Sequence, residues 1–252
     1  RSTLFPYTTL FRSRTGLPVI PVASYSFGDR VSWLCIIGMI YASLIAIRQD
    51  DIKRLVAYSS IAHIGLMCLA IFSENKIGVQ GVMIQMFNHG INIIGLWIVV
   101  ELIERQFGTR KLSELGGLAQ KAPVMAILFV VIALANIALP LTNAFIGEFL
   151  MFTGIFNSDI TKYGVLFTVL AGVCIILAAI YTLNMIRKIF YGDTIALTAT
   201  AQDIKLNEKL ALGVIVILIF WMGVYPQPVL NITNDITDSI LKISDVRPLL
   251  KK

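Results

Sequence analysis

The sequence predicts an all-α fold: a polytopic bundle of about six transmembrane helices, one of them broken at Pro140, with an amphipathic helix at the C-terminal end. Three observations carry this reading. Charged residues make up 14% of the chain and hydrophobic residues 57%, where a soluble domain carries about 25% charged residues. Mean hydropathy is +0.80, and the apolar residues fall in long runs separated by short charged loops. The longest run, Met125 to Phe156, is interrupted by Ala138-Leu139-Pro140-Leu141-Thr142-Asn143-Ala144-Phe145-Ile146-Gly147-Glu148. As one straight helix it would be roughly 48 Å long, too long for a hydrocarbon core of about 30 Å.

Taken in order, residues 1–16 fit neither a membrane span nor a signal peptide, having no long apolar centre and no small-residue cleavage site. They resemble translated sequencing-adaptor sequence and are set apart from the fold, which makes the chain a fragment lacking its true N-terminal part. Residues 17–30, with Pro18 and Pro21, are expected to form a loop. The bundle is then expected over 31–229. The first span covers Val31–Ile47, with Trp33 near its start and Arg48 past its end. The second covers Ile52–Phe72, with Lys53 and Arg54 at its mouth, and the third Val79–Ile103. The fourth is the broken stretch, where Pro140 lacks an N–H and clashes with the preceding turn. Thr142 and Asn143 are expected to satisfy the freed backbone groups, and Gly147 to permit close approach. The fifth covers Tyr163–Phe190 and the sixth Leu210–Val229, with Tyr225 near an interface and Pro226 and Pro228 ending the helix. Residues 230–252 form the tail, in which Ile232, Ile236, Ile240 and Ile243 recur at helical spacing. Such a helix rests on lipid, on its own bundle or on a neighbouring subunit.

The net charge of +6 lies in loops and ends, without a basic patch interleaved with aromatics, so it reads as membrane topology and not nucleic-acid binding. Arg48, Lys53, Arg54, Arg105, Arg110, Lys111, Lys121, Arg187, Lys188, Lys205 and Lys209 fall on one side; Lys76 and Lys162 mark the loops of the other. The positive-inside rule then places the first set in the cytoplasm and the C-terminus outside. Cys35, Cys68 and Cys174 each lie within an apolar run without CxxC spacing, so they are expected to be packing residues.

The chemistry is in the polar groups inside the spans. Glu148 is the only carboxylate between Glu114 and Asp159 and stands just past the break. An ionisable residue at membrane depth beside a broken helix marks an ion or proton path; the plainer alternative is a kinked helix with its glutamate at the water interface. The third span carries Gln85, Asn88 and Asn92 on one face, with His89 between them and Gly78, Gly81 and Gly95 extending the stripe. Such a stripe faces other helices or water; its amides alone read as interhelical glue, whereas an imidazole suits proton exchange. In the second span Lys53, Ser60 and His63 fall on one side, as stations of a proton wire or, for Lys53, as a topology anchor. One histidine on each of two helices is a weak metal signal, and the chain has no Gly-rich phosphate loop or nucleophile elbow. The composition thus offers groups that move protons and none that obviously moves electrons.

Several motifs in one register resemble a known family. Asp51-Ile-Lys53-Arg54-Leu55 with Ala57-Tyr58-Ser59-Ser60-Ile61 and His63-Ile64-Gly65, then Gln85-Met-Phe-Asn-His89-Gly90, then Leu115-Gly116-Gly117-Leu118, then Pro140 with Gly147-Glu148-Phe149, are similar to the antiporter-like membrane subunits of respiratory complex I. The resemblance runs from about residue 30 to at least 225. It implies a bundle with two inverted five-helix repeats, of which this chain matches the second repeat and the final helix. It implies Glu148 as the ionisable residue of the second broken helix, with His63, His89 and Lys53 on a mid-membrane hydrophilic axis. Pro140, Asn143, Gln85, Asn88 and Ser60 then support that axis. Members carry Glu or Lys at the position of Glu148. The resemblance also implies that NADH, FMN, Fe–S clusters and quinone are held by other subunits, with neighbouring antiporter-like subunits as partners in a bacterial inner membrane and the tail on the periplasmic side. Subunits of multisubunit Na+/H+ antiporters and membrane-bound hydrogenases share the motifs, and a structural module that moves no protons remains the third reading.

Overall fold

The computed structural model describes residues 21–244. Among these, the first three helices are α1 (Pro21–Arg48), α2 (Ile52–Phe72) and α3 (Lys76–Phe107). A 3-10 turn (Leu112–Glu114) and the short α4 (Leu118–Lys121) follow. Then come α5 (Pro123–Asn136) and α6 (Asn143–Phe156), the long α7 (Gly164–Phe190) and α8 (Leu206–Val224), and last α9 (Gln227–Ser244). Five helices, α1, α2, α3, α7 and α8, are long and apolar enough to cross a membrane; α5 and α6 are shorter apolar helices. The fold class is therefore the all-α polytopic bundle expected, with the fourth span supplied by two short helices.

Each boundary has a local cause. Asp51 caps α2 by accepting from the Arg54 N–H (3.2 Å), and Asn75 caps α3 by accepting from Ile77 N–H (2.9 Å). Gly108 ends α3 in the left-handed conformation (φ 68°) that its missing Cβ allows. The start of α5 is capped from a distance: the Asp203 carboxylate accepts from Val124 and Met125 N–H, both at 3.1 Å.

Two boundaries differ from the sequence reading. Residues 21–30, expected to belong to a loop over 17–30, are helical, and α1 begins ten residues before the expected Val31. The two prolines prompted the loop reading, but the described stretch from Pro21 to Val31 holds no further proline, so nothing in it interrupts the helix. The last span closes at Val224, not Val229, and α9 starts at Gln227 before the expected 230. Tyr225 and Pro226 turn the chain, while Pro228 is accommodated in the first turn of α9. The expectation that residues 1–16 are adaptor-derived lies outside the described residues.

The helix ends gather on two faces. On one, Ile52 N–H bonds Arg110 O (3.0 Å), Leu112 N–H bonds Asp50 O (2.7 Å) and Gly117 N–H bonds Tyr191 O (3.3 Å), joining the loops rich in Lys and Arg. On the other, Asn75 Nδ2 bonds Asn157 O and Ser158 Oγ bonds Ser73 O. There α9 lies against its own bundle, held by an ion pair between Lys76 and Asp238 (2.7 Å) with Ile240 buried beneath it. Between the faces, α3 and α6 pack closely through small residues, as membrane helices do. A Cβ on Gly81 would lie 2.7 Å from Met151 N, and one on Gly78 would lie 3.3 Å from Gly154 Cα.

Candidate functional site

The break between α5 and α6 builds the site. Ala138 (φ 56°) and Leu141 (φ 74°) adopt left-handed conformations on either side of Pro140, which reverses and restarts the chain. The freed groups find partners as the sequence led one to expect: Leu139 N–H bonds Leu134 O (3.2 Å), and both Thr142 N–H and Oγ bond Leu139 O (3.1 and 2.6 Å). Asn143 Oδ1 accepts from the Ala144 N–H (2.9 Å). Across the seam, Asn88 Nδ2 donates to Asn143 O (2.7 Å) and Asn143 Nδ2 to Asn88 O (3.4 Å). This reciprocal pair fixes the start of α6 to the middle of α3. Gly147 sits flat on Gln85, whose Cβ would be only 2.8 Å from any Cβ placed there.

One turn into α6, Glu148 is 5% exposed and points at α2. Its Oε1 lies 3.3 Å from Nδ1 of His63, itself 8% exposed. The His63 ring in turn meets that of His89 on α3, centroid to centroid 5.2 Å and tilted by 45°. Three residues far apart in sequence thus form one row, α6 to α2 to α3, with Glu148 and His63 buried and His89 half-buried. The carboxylate and the first imidazole are within hydrogen-bonding reach, whereas the two imidazoles meet ring to ring and His63 Nε2 makes no hydrogen bond, so a proton crossing between them needs a bridging group such as a water.

Other expected residues stand elsewhere. Lys53 does not reach His63; along α2 the two are about 15 Å apart. It lies at the mouth of the bundle, paired with Glu104 and with Glu101 (3.4 Å) and over the Trp97 ring (5.6 Å). Arg110 adds to this cluster, 2.6 Å from Asp51 and 3.7 Å from Glu104. Ser60 donates its proton to Val56 O in its own helix (3.1 Å). Gln85 is buried, with its Oε1 free of protein partners, as are both amide atoms of Asn92.

The structure also brings in residues the sequence reading passed over. Glu101 and Glu104 sit at the Arg- and Lys-rich end of the third span, where they read as ordinary surface charges. Tyr181 of α7 is 1% exposed, its hydroxyl oxygen accepting no hydrogen bond from protein, and it shares a cavity with Glu148 and His63. A tyrosine in an apolar run is no signal by itself, and nothing in the sequence pointed to its depth. Among the described residues no cluster of three or more His, Cys, Asp or Glu side chains is arranged to hold a metal ion.

Five membrane-length helices around a broken one that carries a buried carboxylate, fixed to a polar helix and set against a histidine, define a polytopic membrane subunit. The chain belongs to the family described as NADH:quinone oxidoreductase/Mrp antiporter, TM, which it matches over residues 10–187. The particular proteins it is similar to are NADH-quinone oxidoreductase subunits M. It is 37% identical to that of Rickettsia bellii (strain RML369-C) over 229 residues, 90% of this chain and 45% of that protein. It is 36% identical to that of Pseudomonas aeruginosa over 224 residues, 87% of this chain and 42% of that protein. The chain therefore spans about half the length of the curated relatives it matches. Among solved structures, a chain of respiratory complex I from Thermus thermophilus with bound NADH superposes with a TM-score of 0.87 at 24% identity, covering 94% of this chain and 49% of that one. A chain of the Mrp complex from Dietzia sp. DQ12-45-1b gives 0.72 at 18% identity, with 86% and 50% covered. At these identities the two superpositions establish the fold.

Proposed function

We propose that this chain belongs to a proton-translocating membrane subunit of a bacterial NADH:quinone oxidoreductase, and that its row of Glu148, His63 and His89 carries protons there. The observation that carries the reading is the buried contact of Glu148 Oε1 with His63 Nδ1 at 3.3 Å beside a broken helix. NADH, FMN, the Fe–S clusters and quinone are bound by other subunits, where electrons pass from NADH to quinone. The energy released reaches this chain as a shift of charge in its neighbours. In a low-dielectric interior a charge arriving at one station changes the proton affinity of the next by whole units. Glu148 is the terminal station, His63 and His89 relay to it, and Lys53 with Glu101 and Glu104 gathers protons at the mouth. Gln85, Asn88, Asn143 and Pro140 hold the carboxylate in place.

The face rich in Lys and Arg is cytoplasmic, which leaves α9 on the periplasmic side of the inner membrane. The family description also covers cation/proton antiporter subunits; the relatives named subunit M favour the oxidoreductase. The test is Glu148→Gln in the complete protein within its assembled complex. It keeps the size and hydrogen-bonding capacity of the side chain, so assembly and quinone reduction by uncoupled membranes should persist while coupled proton pumping is lost. Normal pumping by a correctly assembled variant overturns the role.

A further inference from the structure

A cavity of about 20 Å³ opens where the break meets α2 and α7. Its wall includes Glu148, His63, Tyr181, Ala62, Ala178 and Ile137. That volume is room for one water, which needs two or more polar partners. The lining is mostly apolar, but Glu148, His63 and Tyr181 bring polar groups to it. Glu148 has one oxygen directed to His63 Nδ1, which leaves its second oxygen for another donor. Tyr181 brings a fully buried phenol hydroxyl whose oxygen accepts no hydrogen bond from protein. Its neighbour Ser59, also buried, donates its own proton to Val56 O (2.9 Å), so toward Tyr181 it can only accept the phenol proton, which leaves the lone pairs of the phenol oxygen open to a further donor. Leaving a buried hydroxyl oxygen without a donor is costly, and buried polar groups in native proteins are almost always paired.

We infer that Tyr181 is a positioning residue for Glu148: its hydroxyl and the second carboxylate oxygen hold a single water between them in this cavity. The inference rests on the proton-carrying role proposed for Glu148 and deepens it. The geometry gives the carboxyl group two unlike neighbours, an imidazole on one oxygen and a water on the other. A proton arriving through His63 and a proton leaving through the water therefore use different oxygens of one carboxyl group. The titratable groups around Glu148 are His63 from α2, His89 behind it on α3, and Tyr181 and Cys174 from α7. Helix α5 has none, and those of α8 lie in its first turn, at Glu208 and Lys209.

The test uses the complete protein in its assembled complex and reads two signals, coupled pumping and the infrared carbonyl band of protonated Glu148, identified by its loss in Glu148→Gln. Tyr181→Phe removes only the hydroxyl. Ala178→Val keeps the hydroxyl and fills the cavity. Both should move the carbonyl band to higher frequency, as a carboxyl group does on losing a hydrogen bond, and both should slow pumping about tenfold, the equivalent of one charge-assisted hydrogen bond. An unmoved band in both variants overturns the inference, even if pumping falls, because slow pumping alone also follows from looser packing. A shift in Tyr181→Phe without one in Ala178→Val overturns the water and leaves direct contact. If Tyr181→Phe does not assemble, Ala178→Val carries the test alone. Should Glu148→Gln pump normally, the proton-carrying role fails, while the band still decides the position of the water.

Discussion

Glu148 and His63 are 85 positions apart in sequence and 3.3 Å apart in space. What brings them together is a third residue with no chemistry of its own. Gly147 lets α6 lie on Gln85 so closely that any side chain at that position would strike Gln85 Cβ and, at 3.1 Å, its Cα. Gly147→Ala should therefore cost about 1–3 kcal/mol, the usual penalty of overpacking, and should turn Glu148 away from His63. A lower thermal midpoint of the purified complex together with reduced pumping is the expected pair of readings; an unchanged midpoint would show that the seam can give. Glu148, His63 and His89 stand out in the sequence because ionisable groups are rare in apolar runs; that they meet is seen only in the structure. That Lys53 would turn to Glu104 and Glu101 was not legible, since helical phase says which side a residue occupies but not which helix lies opposite. Tyr181 was hidden for the opposite reason: an aromatic in a membrane run is ordinary until its hydroxyl is found buried.

At the scale of elements, the broken helix is the part read most completely. Pro140, Thr142 and Asn143 were each expected to act there and do. The left-handed residues were not foreseen, because neither is a glycine. Ala138 at φ 56° carries a penalty of about 1–2 kcal/mol for its Cβ. Ala138→Gly should remove most of it, and after the added entropy of glycine in the unfolded chain a net gain of about 0.5–1 kcal/mol remains. A thermal midpoint that falls instead would mean the Cβ makes contacts worth more than the strain. The start of α5 gives a second test. Asp203→Ala strips the carboxylate from Val124 and Met125 N–H and should cost about 1 kcal/mol, the typical loss of a cap. That cap was not legible, for it comes from nearly eighty residues further along the chain. Residues 21–30 were misread as loop because the prolines were weighed as breakers for a stretch that, after Pro21, contains none.

At the scale of the molecule, the two faces differ in charge, and the loops that carry the charge are joined backbone to backbone. Single cysteines placed in a cysteine-free complete protein test the orientation drawn from this. Lys162→Cys should react with a membrane-impermeant maleimide added to intact spheroplasts, and Lys209→Cys only after the membrane is opened; the reverse pattern inverts the topology. Lys76 and Asp238, the ion pair that holds α9, are each about half exposed, so Asp238→Asn should change stability by less than about 1 kcal/mol. The flank of α1 leaves Leu34, Ile37, Tyr41 and Leu44 exposed, a stripe suited to lipid or to a neighbouring subunit.

Where α8 passes the break there is no cushion. A Cβ on Gly223 would lie 2.6 Å from the carbonyl carbon of Thr142 and collide with Leu141 O, so main chain rests directly on main chain. Side chains absorb small displacements by changing rotamer; peptide groups in contact do not. Helix α8 and the turn at Pro140 therefore behave as a rigid linkage, and a tilt of the one is delivered to the other at full amplitude, a lever arm ending one turn from Glu148.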